Sequence, residues 1–376
     1  MPILERTIQK SIENKLFKKK IIIVYGARQV GKTTLIKTIQ KKYQNISLYL
    51  NCDEPDIRDA LTNASSTEIK AFIGDKKLIF LDEAQRVKNI GLTLKLICDN
   101  FPEVQIVATG SSSFDLSNKI NEPLTGRKYE FYLHPFSMSE LGHLYSPLEL
   151  RRLKEKFVLF GMYPEVIFKN NQEAQSLLRS LSNSYLYKDI LQFQNIKNPE
   201  ILEKLLQALA LQIGNEVSYN ELASTVGIDK KTVANYLQIL EKSFIIFRLG
   251  PFSRNLRTEL KKLRKIYFYD TGLRNALINN FNPFSLRQDT GALWENFLIC
   301  ERMKKNNNND KKINTYFWRT HNQNEIDYLE ESEGQLRSFE IKWKKNKKNP
   351  PKDFIENYPN SSFQSINQDN FLTNFL

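Results

Sequence analysis

Two short stretches hold the residues best suited to chemistry. The run Gly26-Ala27-Arg28-Gln29-Val30-Gly31-Lys32-Thr33 fits G-x-x-x-x-G-K-[ST], a loop whose glycines let main-chain N–H groups close around phosphate. In that pattern Lys32 reaches the terminal phosphates of ATP, Thr33 ligates Mg2+, and Thr34 belongs to the same phosphate-contacting set at a helix start. Near the other end, Asp327 is followed after 12 intervening residues by Glu340-Ile341-Lys342. Phe339, Ile341 and Trp343 alternate with Glu340, Lys342 and Lys344, so a two-residue period sets Glu340 and Lys342 on one face of a strand. With Asp327 on a neighbouring strand, two hard carboxylates would meet a magnesium ion and Lys342 would orient or deprotonate a water. The competing reading is an ordinary strand edge with Glu and Lys turned to solvent.

A further acidic pair, Asp82-Glu83, closes the apolar run KLIFLDEAQ. At the end of a buried strand Asp82 would stand by the magnesium shell and Glu83 by the water that attacks the terminal phosphate. The alternative is a strand terminus with solvated acids. In VATGSSS, Thr109 or Ser111 is placed to sense that phosphate, unless the segment is a plain serine-rich turn. Arg127, in LTGRKYEF, stands where a cation could reach the nucleotide of a neighbouring subunit, a homo-oligomer then being implied; a simple surface arginine is the other reading.

These residues need a scaffold, and the first third supplies the pattern of one. Apolar runs at Ile21 to Tyr25, Ile46 to Leu50, Leu78 to Leu81, Val104 to Ala108 and Tyr129 to Leu133 alternate with helical stretches, which predicts an α/β unit with a parallel sheet covered on both faces. Ser139 to Leu211 reads as helical throughout, a helical lid. Tyr219 to Val226, Gly227 and an Asp229-capped helix with Val233, Leu237 and Leu240 on one face form a helix-turn-helix pattern. FIIFRL and IYFY would pair as the wing of a winged helix.

If that unit reads DNA, Lys230, Lys231, Thr232 and Asn235 open its second helix and face the bases. Arg254 to Lys265 has six basic residues against one acidic, Glu259, so Arg254 and Arg257 would hold phosphates. A packing module with a solvated lysine face is the alternative. Lys304 to Lys312, KKNNNNDKK, reads as a hairpin or loop. The expected boundaries are 1–137 for the phosphate-loop unit, 138–212 for the lid, 213–285 for the winged helix and 286–376 for an α/β unit holding the Asp327 to Lys342 strands.

The phrases GARQVGKTTL, FLDEAQ, TGSSS, LTGR, HPFSMSEL, GMYPEV, YLYKDIL and YFYDTGL, in this order, resemble the bacterial and archaeal AAA+ ATPases that carry a C-terminal PD-(D/E)xK domain. The likeness runs from about Arg6 to about Lys344. It implies an AAA+ core, a winged helix and a restriction-endonuclease-like domain, and it matches Glu295 in ALWENFLICE to that domain's helix carboxylate, a third metal ligand. The function expected is an ATPase coupling ATP hydrolysis to DNA binding or processing. The alternative is a nucleotide-switched signalling or scaffold protein whose last domain binds a partner without cutting.

The whole chain agrees with this class. Its 376 residues, 41% apolar, suffice for two or three domains with cores. A net charge of +13 attracts polyanions. Cys52, Cys98 and Cys300, three in number and unpaired in spacing, argue against a disulfide framework or a zinc site and for reduced core thiols. No apolar run approaches the ~20 residues that span a bilayer, and the N-terminal residues carry scattered charge, so a cytoplasmic protein without a membrane anchor is expected.

Overall fold

The computed structural model describes residues 4–110, 120, 124–194, 198–253, 264–320, 324–344 and 349–375, with 184–194 described by their backbone. Strands β1 (Ile21–Tyr25), β2 (Ser47–Asn51), β3 (Leu78–Asp82), β4 (Gln105–Gly110) and β5 (Lys128–Tyr132) build one parallel sheet in the order β2-β3-β4-β1-β5. Every residue of β1, β3 and β4 is buried, as continuous apolar runs require when helices cover both faces. The order brings the carboxyl ends of β1, β3 and β4 side by side, so the loop after Tyr25, the Asp82-Glu83 pair and Thr109 share one end of the sheet.

The stretch expected to be helical throughout is broken. Helices Met138–Leu141, Pro147–Phe160, Asn171–Gln194 and Pro199–Leu211 form, but residues 161–170 are not helical. Gly161 stops the second of them at φ 73°, and a Cβ there would lie 2.0 Å from Oδ1 of Asp270. The buried Asp270 carboxylate accepts the Met162 and Leu273 amides at 2.7 and 3.0 Å. The GMYPEV and YFYDTGL phrases are therefore two halves of one contact. Ser137 and Ser146 each close a capping box with Glu140 and Glu149, devices worth ~1 kcal/mol apiece.

Helices Tyr219–Val226 and Lys230–Lys242 meet at Gly227, φ 75°. Strands β6 (Glu216–Val217), β7 (Ile246–Pro251) and β8 (Arg264–Phe268) follow the order β6-β8-β7, antiparallel. The sheet does not stop there. β7 pairs in parallel with β9 (Asn314–Arg319), which continues through β10 (Glu325–Ser332), β11 (Gln335–Ile341) and β12 (Ser362–Ile366) into a single seven-stranded sheet. The expected boundary after residue 285 falls between strands of this one sheet.

The Lys304 to Lys312 stretch, expected as a hairpin or loop, is helical as far as Asn308, within the helix Thr290–Asn308. Tertiary bonds override the weak helix propensity of asparagine: Asn306 donates to Glu330 Oε1 at 2.7 Å and Asn307 to the Tyr132 carbonyl at 2.5 Å. All three cysteines are free thiols, with Cys52 and Cys300 buried. No helix among the described residues is long and apolar enough to cross a membrane.

Candidate functional site: a nucleotide cleft and an acid–lysine cluster

The loop from Gly26 to Gly31 turns from β1 into the helix Lys32–Lys41, with Gly31 as its N-cap at φ 96°, a backbone region that excludes most side chains. It lines a cleft of about 840 Å³ together with Thr33, Thr34, Glu83, Phe136, Pro164 and Glu165. Lys32 is buried and its ammonium donates to the carbonyls of Gly26 and Ala27, both at 3.0 Å, which folds the lysine over its own loop. Asp82 gathers three hydroxyls: Thr33 Oγ1 at 2.6 Å, Thr109 Oγ1 at 2.5 Å and Tyr49 OH at 2.8 Å. Burial, and then the bond to Asp82, push the Tyr49 phenol above its ordinary range.

Glu83 has its backbone in the left-handed region, φ 52°. Its N–H donates to Thr109 Oγ1 at 3.1 Å, and its carboxylate accepts from Gln85 Nε2 at 2.5 Å. A carboxylate so held, beside a phosphate-type loop, is equipped to take a proton from water. The donor set fits Mg2+ with a nucleotide: a helix N-terminus, a lysine, and the close oxygen pair of Thr33 and Asp82.

Reasoning from sequence missed Arg6 and Glu140. Arg6, 6% exposed, donates to Glu140 Oε1 at 2.9 Å, to the Val30 carbonyl at 2.8 Å and to the His134 carbonyl at 2.5 Å. Leu4, Ile8, Ile12 and Leu16 mark a helical period around Arg6, but nothing in it tells that the arginine reaches the Val30 carbonyl.

In the C-terminal sheet Tyr328 of β10 pairs with Phe339 of β11, and one step on Asp327 faces Glu340. Both carboxylates are buried. The Lys342 ammonium stands between them, 3.2 Å from Asp327 Oδ2 and 3.0 Å from Glu340 Oε1, and the Ile341 N–H donates to Asp327 at 2.7 Å. Glu295 joins the edge of this cluster, accepting from Tyr267 OH at 2.6 Å with Lys265 at 3.7 Å. Lys265 is also ion-paired with Glu325. Among the described residues no three acids, histidines or cysteines come together to hold a metal ion. The structure brings Asp327, Glu340 and Lys342 together as the sequence pattern expects, with Glu295 close enough to Asp327 to feel its charge. As arranged, the positive charge between the Asp327 and Glu340 carboxylates is the Lys342 ammonium.

Electrostatics follow from this packing. Burial, and then Glu340, raise the Asp327 carboxyl. Burial, and then Asp327, push Glu295 up to about 7. Burial opposes the charge on Lys342, but Asp327 and Glu340 outweigh it and hold the lysine protonated. Lys265, expected as the last basic residue of a phosphate-holding connector, is instead buried in β8, where it and Tyr267 alternate on one face just as Glu340 and Lys342 do.

Lys230, Lys231 and Asn235 are exposed at the start of their helix and Thr232 is half-buried. Asp229 caps that helix, taking the Lys231 and Thr232 amides at 2.8 and 3.0 Å and the Thr232 hydroxyl at 2.5 Å.

Residues 18–142, the whole of the parallel sheet and its loop, match an AAA domain. This part of the chain is similar to AAA-type ATPase domains. Two further matches cover residues 151–283 (DUF8612) and 290–368 (DUF4143), both domains of unknown function. An uncharacterized protein of Methanocaldococcus jannaschii is 27% identical over 320 residues, covering 80% of this chain and 70% of its own. One of Mycobacterium tuberculosis is 26% identical over 345 residues, covering 91% and 74%. Of the solved structures, the Pif1 helicase from Candida albicans overlaps at a TM-score of 0.27 and 16% identity, over 48% of this chain and 54% of the helicase, so the match spans about half of that protein.

Within the matched region, Arg127 lies at the start of β5, level with Ile21 at the opposite end of β1 from the phosphate loop. It pairs with Asp99 at 2.8 Å and is outside the cleft of its own chain. Ser111, Arg254 and Arg257 lie outside the described residues.

Proposed function

We propose that this chain is an ATP-driven AAA+ protein whose C-terminal half engages DNA under control of the nucleotide. The observation that carries this is the helix Thr290–Asn308. It holds Glu295 in the acid–lysine cluster, and a few turns on, Glu301 accepts the Met138 N–H at 2.6 Å while Lys304 donates to the Phe136 carbonyl at 2.9 Å. Phe136 lines the nucleotide cleft. One rigid element therefore touches both functional regions.

In the cleft, Lys32 and the loop amides of residues 26–31 hold the phosphates, and Thr33 and Asp82 hold Mg2+, which when bound neutralises charge on the phosphates. Glu83 takes the proton from the attacking water, oriented by Gln85, and Thr109 couples Asp82 to the Glu83 backbone. Arg127, on an exposed edge, serves a neighbouring subunit if the chain assembles. We keep 1–137 as the ATPase unit and 138–212 as the lid, with 213–285 as a winged helix and 286–376 as a PD-(D/E)xK-like unit that share one sheet, in a cytoplasmic protein.

DNA is met by Lys230, Lys231, Thr232 and Asn235, with the connector residues Arg254 and Arg257 on phosphates. The position of Lys342 between Asp327 and Glu340 favours binding over cutting, since it supplies the positive charge those acids need. The test is ATP turnover with and without duplex DNA. Stimulation supports coupling; turnover indifferent to DNA, with no DNA bound in any nucleotide state, would leave a scaffold ATPase instead.

A further inference from the structure

The contact between Arg6 and Val30 bears on how the phosphate loop is aimed. A trans peptide is planar, with its C=O and the following N–H pointing in opposite directions, and the chain has no cis peptide bond among its described residues. The carbonyl of Val30 points at the Arg6 guanidinium, 2.8 Å away. The N–H of Gly31, the other end of the same peptide plane, therefore points away from Arg6. Gly31 at φ 96° has no Cβ and could otherwise turn over cheaply.

Arg6 is itself fixed. Glu140, fully buried, takes its Nε at 2.9 Å, and also takes the Thr7 and Ser137 amides at 3.0 and 2.9 Å. The His134 carbonyl takes a second nitrogen, and the guanidinium lies over the Phe136 ring at 4.6 Å. A planar fork sets three separate nitrogens against three acceptors spread around it, a geometry that the single nitrogen of a lysine does not reproduce.

We infer that Arg6 is a positioning residue of the phosphate loop: by holding the Val30 carbonyl it sets the direction of the Gly31 amide toward the phosphates. This rests on the nucleotide-binding reading of the cleft. Its consequence is selective, because a misdirected amide weakens ligands that carry phosphate; Arg6 also lines the cleft, whereas Glu140 does not, so Glu140→Gln reads that selectivity without altering the cleft wall.

Titration calorimetry with ATP, ADP and adenosine, each with Mg2+, on the parent, Arg6→Lys and Glu140→Gln tests this. Arg6→Lys should raise the Kd of ATP and ADP about tenfold, the scale of one charge-assisted hydrogen bond, with adenosine within about twofold. Glu140→Gln leaves the guanidinium in place but loosens it, and should show the same selectivity at about two- to threefold. Its result decides the matter if Arg6→Lys does not fold. A parent that binds no ATP would overturn the nucleotide reading itself. A parent that binds ATP, with both variants binding all three ligands as it does or losing all three equally, would overturn the role of Arg6 alone.

Discussion

Lys304 donates from its buried ammonium to the main-chain oxygen of Phe136 at 2.9 Å and to Glu301 at 2.7 Å. The C-terminal helix thereby grips the strand exit that forms one wall of the nucleotide cleft. Removing one partner leaves the other charge buried and unpaired, so Lys304→Met should cost about 3 kcal/mol in urea unfolding. The double variant Lys304→Met/Glu301→Gln should recover at least half of that, and should turn over ATP with little response to DNA. Additive losses would mean the pair is not coupled.

Nucleotide chemistry separates by residue. Lys32→Ala should weaken ATP binding, because the terminal phosphates lose their cation. Glu83→Gln should bind ATP as the parent does and lose turnover by a factor of about 100 or more, the usual contribution of a general base. A Glu83→Gln protein with full turnover would remove that residue from the mechanism.

For DNA, Lys230→Glu/Lys231→Glu should lower duplex affinity and reduce the slope of log K against log salt by about 2, one for each phosphate-facing lysine. Fluorescence anisotropy across a salt series reads both quantities. An unchanged slope would make the helix a packing element.

The strands of the parallel sheet were legible within two residues at either end, because continuous apolar runs such as Ile21 to Tyr25 have few other places to go. β2, read from Ile46, begins at Ser47. Lys32, Thr33, Asp82 and Glu83 were legible as a set because strand, loop and helix order constrains them. The fusion of β7 to β9 was not, since a parallel pairing between distant segments leaves no periodic mark. Nor was the filling of the acid cluster, because alternation tells which face Glu340 and Lys342 share but not that Lys265 and Tyr267 reach it from another strand.

His134 should mark the acid limit of the fold. Burial first, then Lys304 and Arg6, lower its pKa to about 3, so the folded protein holds it neutral. A depressed base contributes stability that is present above its unfolded pKa of about 6.5 and is lost as pH falls from there toward 3, by up to ~1.4 kcal/mol per pH unit. His134→Phe keeps a ring against Tyr269, where the native stack is 5.2 Å, and removes the titration. The stability gap between parent and variant, measured by urea unfolding at pH 7, 6 and 5, should move in the variant's favour with acid; a constant gap would contradict a neutral His134.

The acid cluster gives the sharpest division between binding and cutting. Lys342 neutralises Asp327 and Glu340 from a side chain 37% exposed, so its loss should cost only about 1–3 kcal/mol after allowance for solvent. Lys342→Ala would free the space between the two carboxylates, and divalent ions should then stabilise the variant in thermal melts while leaving the parent unaffected by anything beyond the nucleotide site. Making the comparison in Asp82→Ala backgrounds keeps the two sites apart. Parent protein incubated with duplex, single-stranded and branched DNA in Mn2+ should bind without cleaving. Metal-dependent cleavage that vanished in Asp327→Ala would show that Lys342 yields its place to a metal when DNA arrives, and binding without cutting would then be the wrong reading.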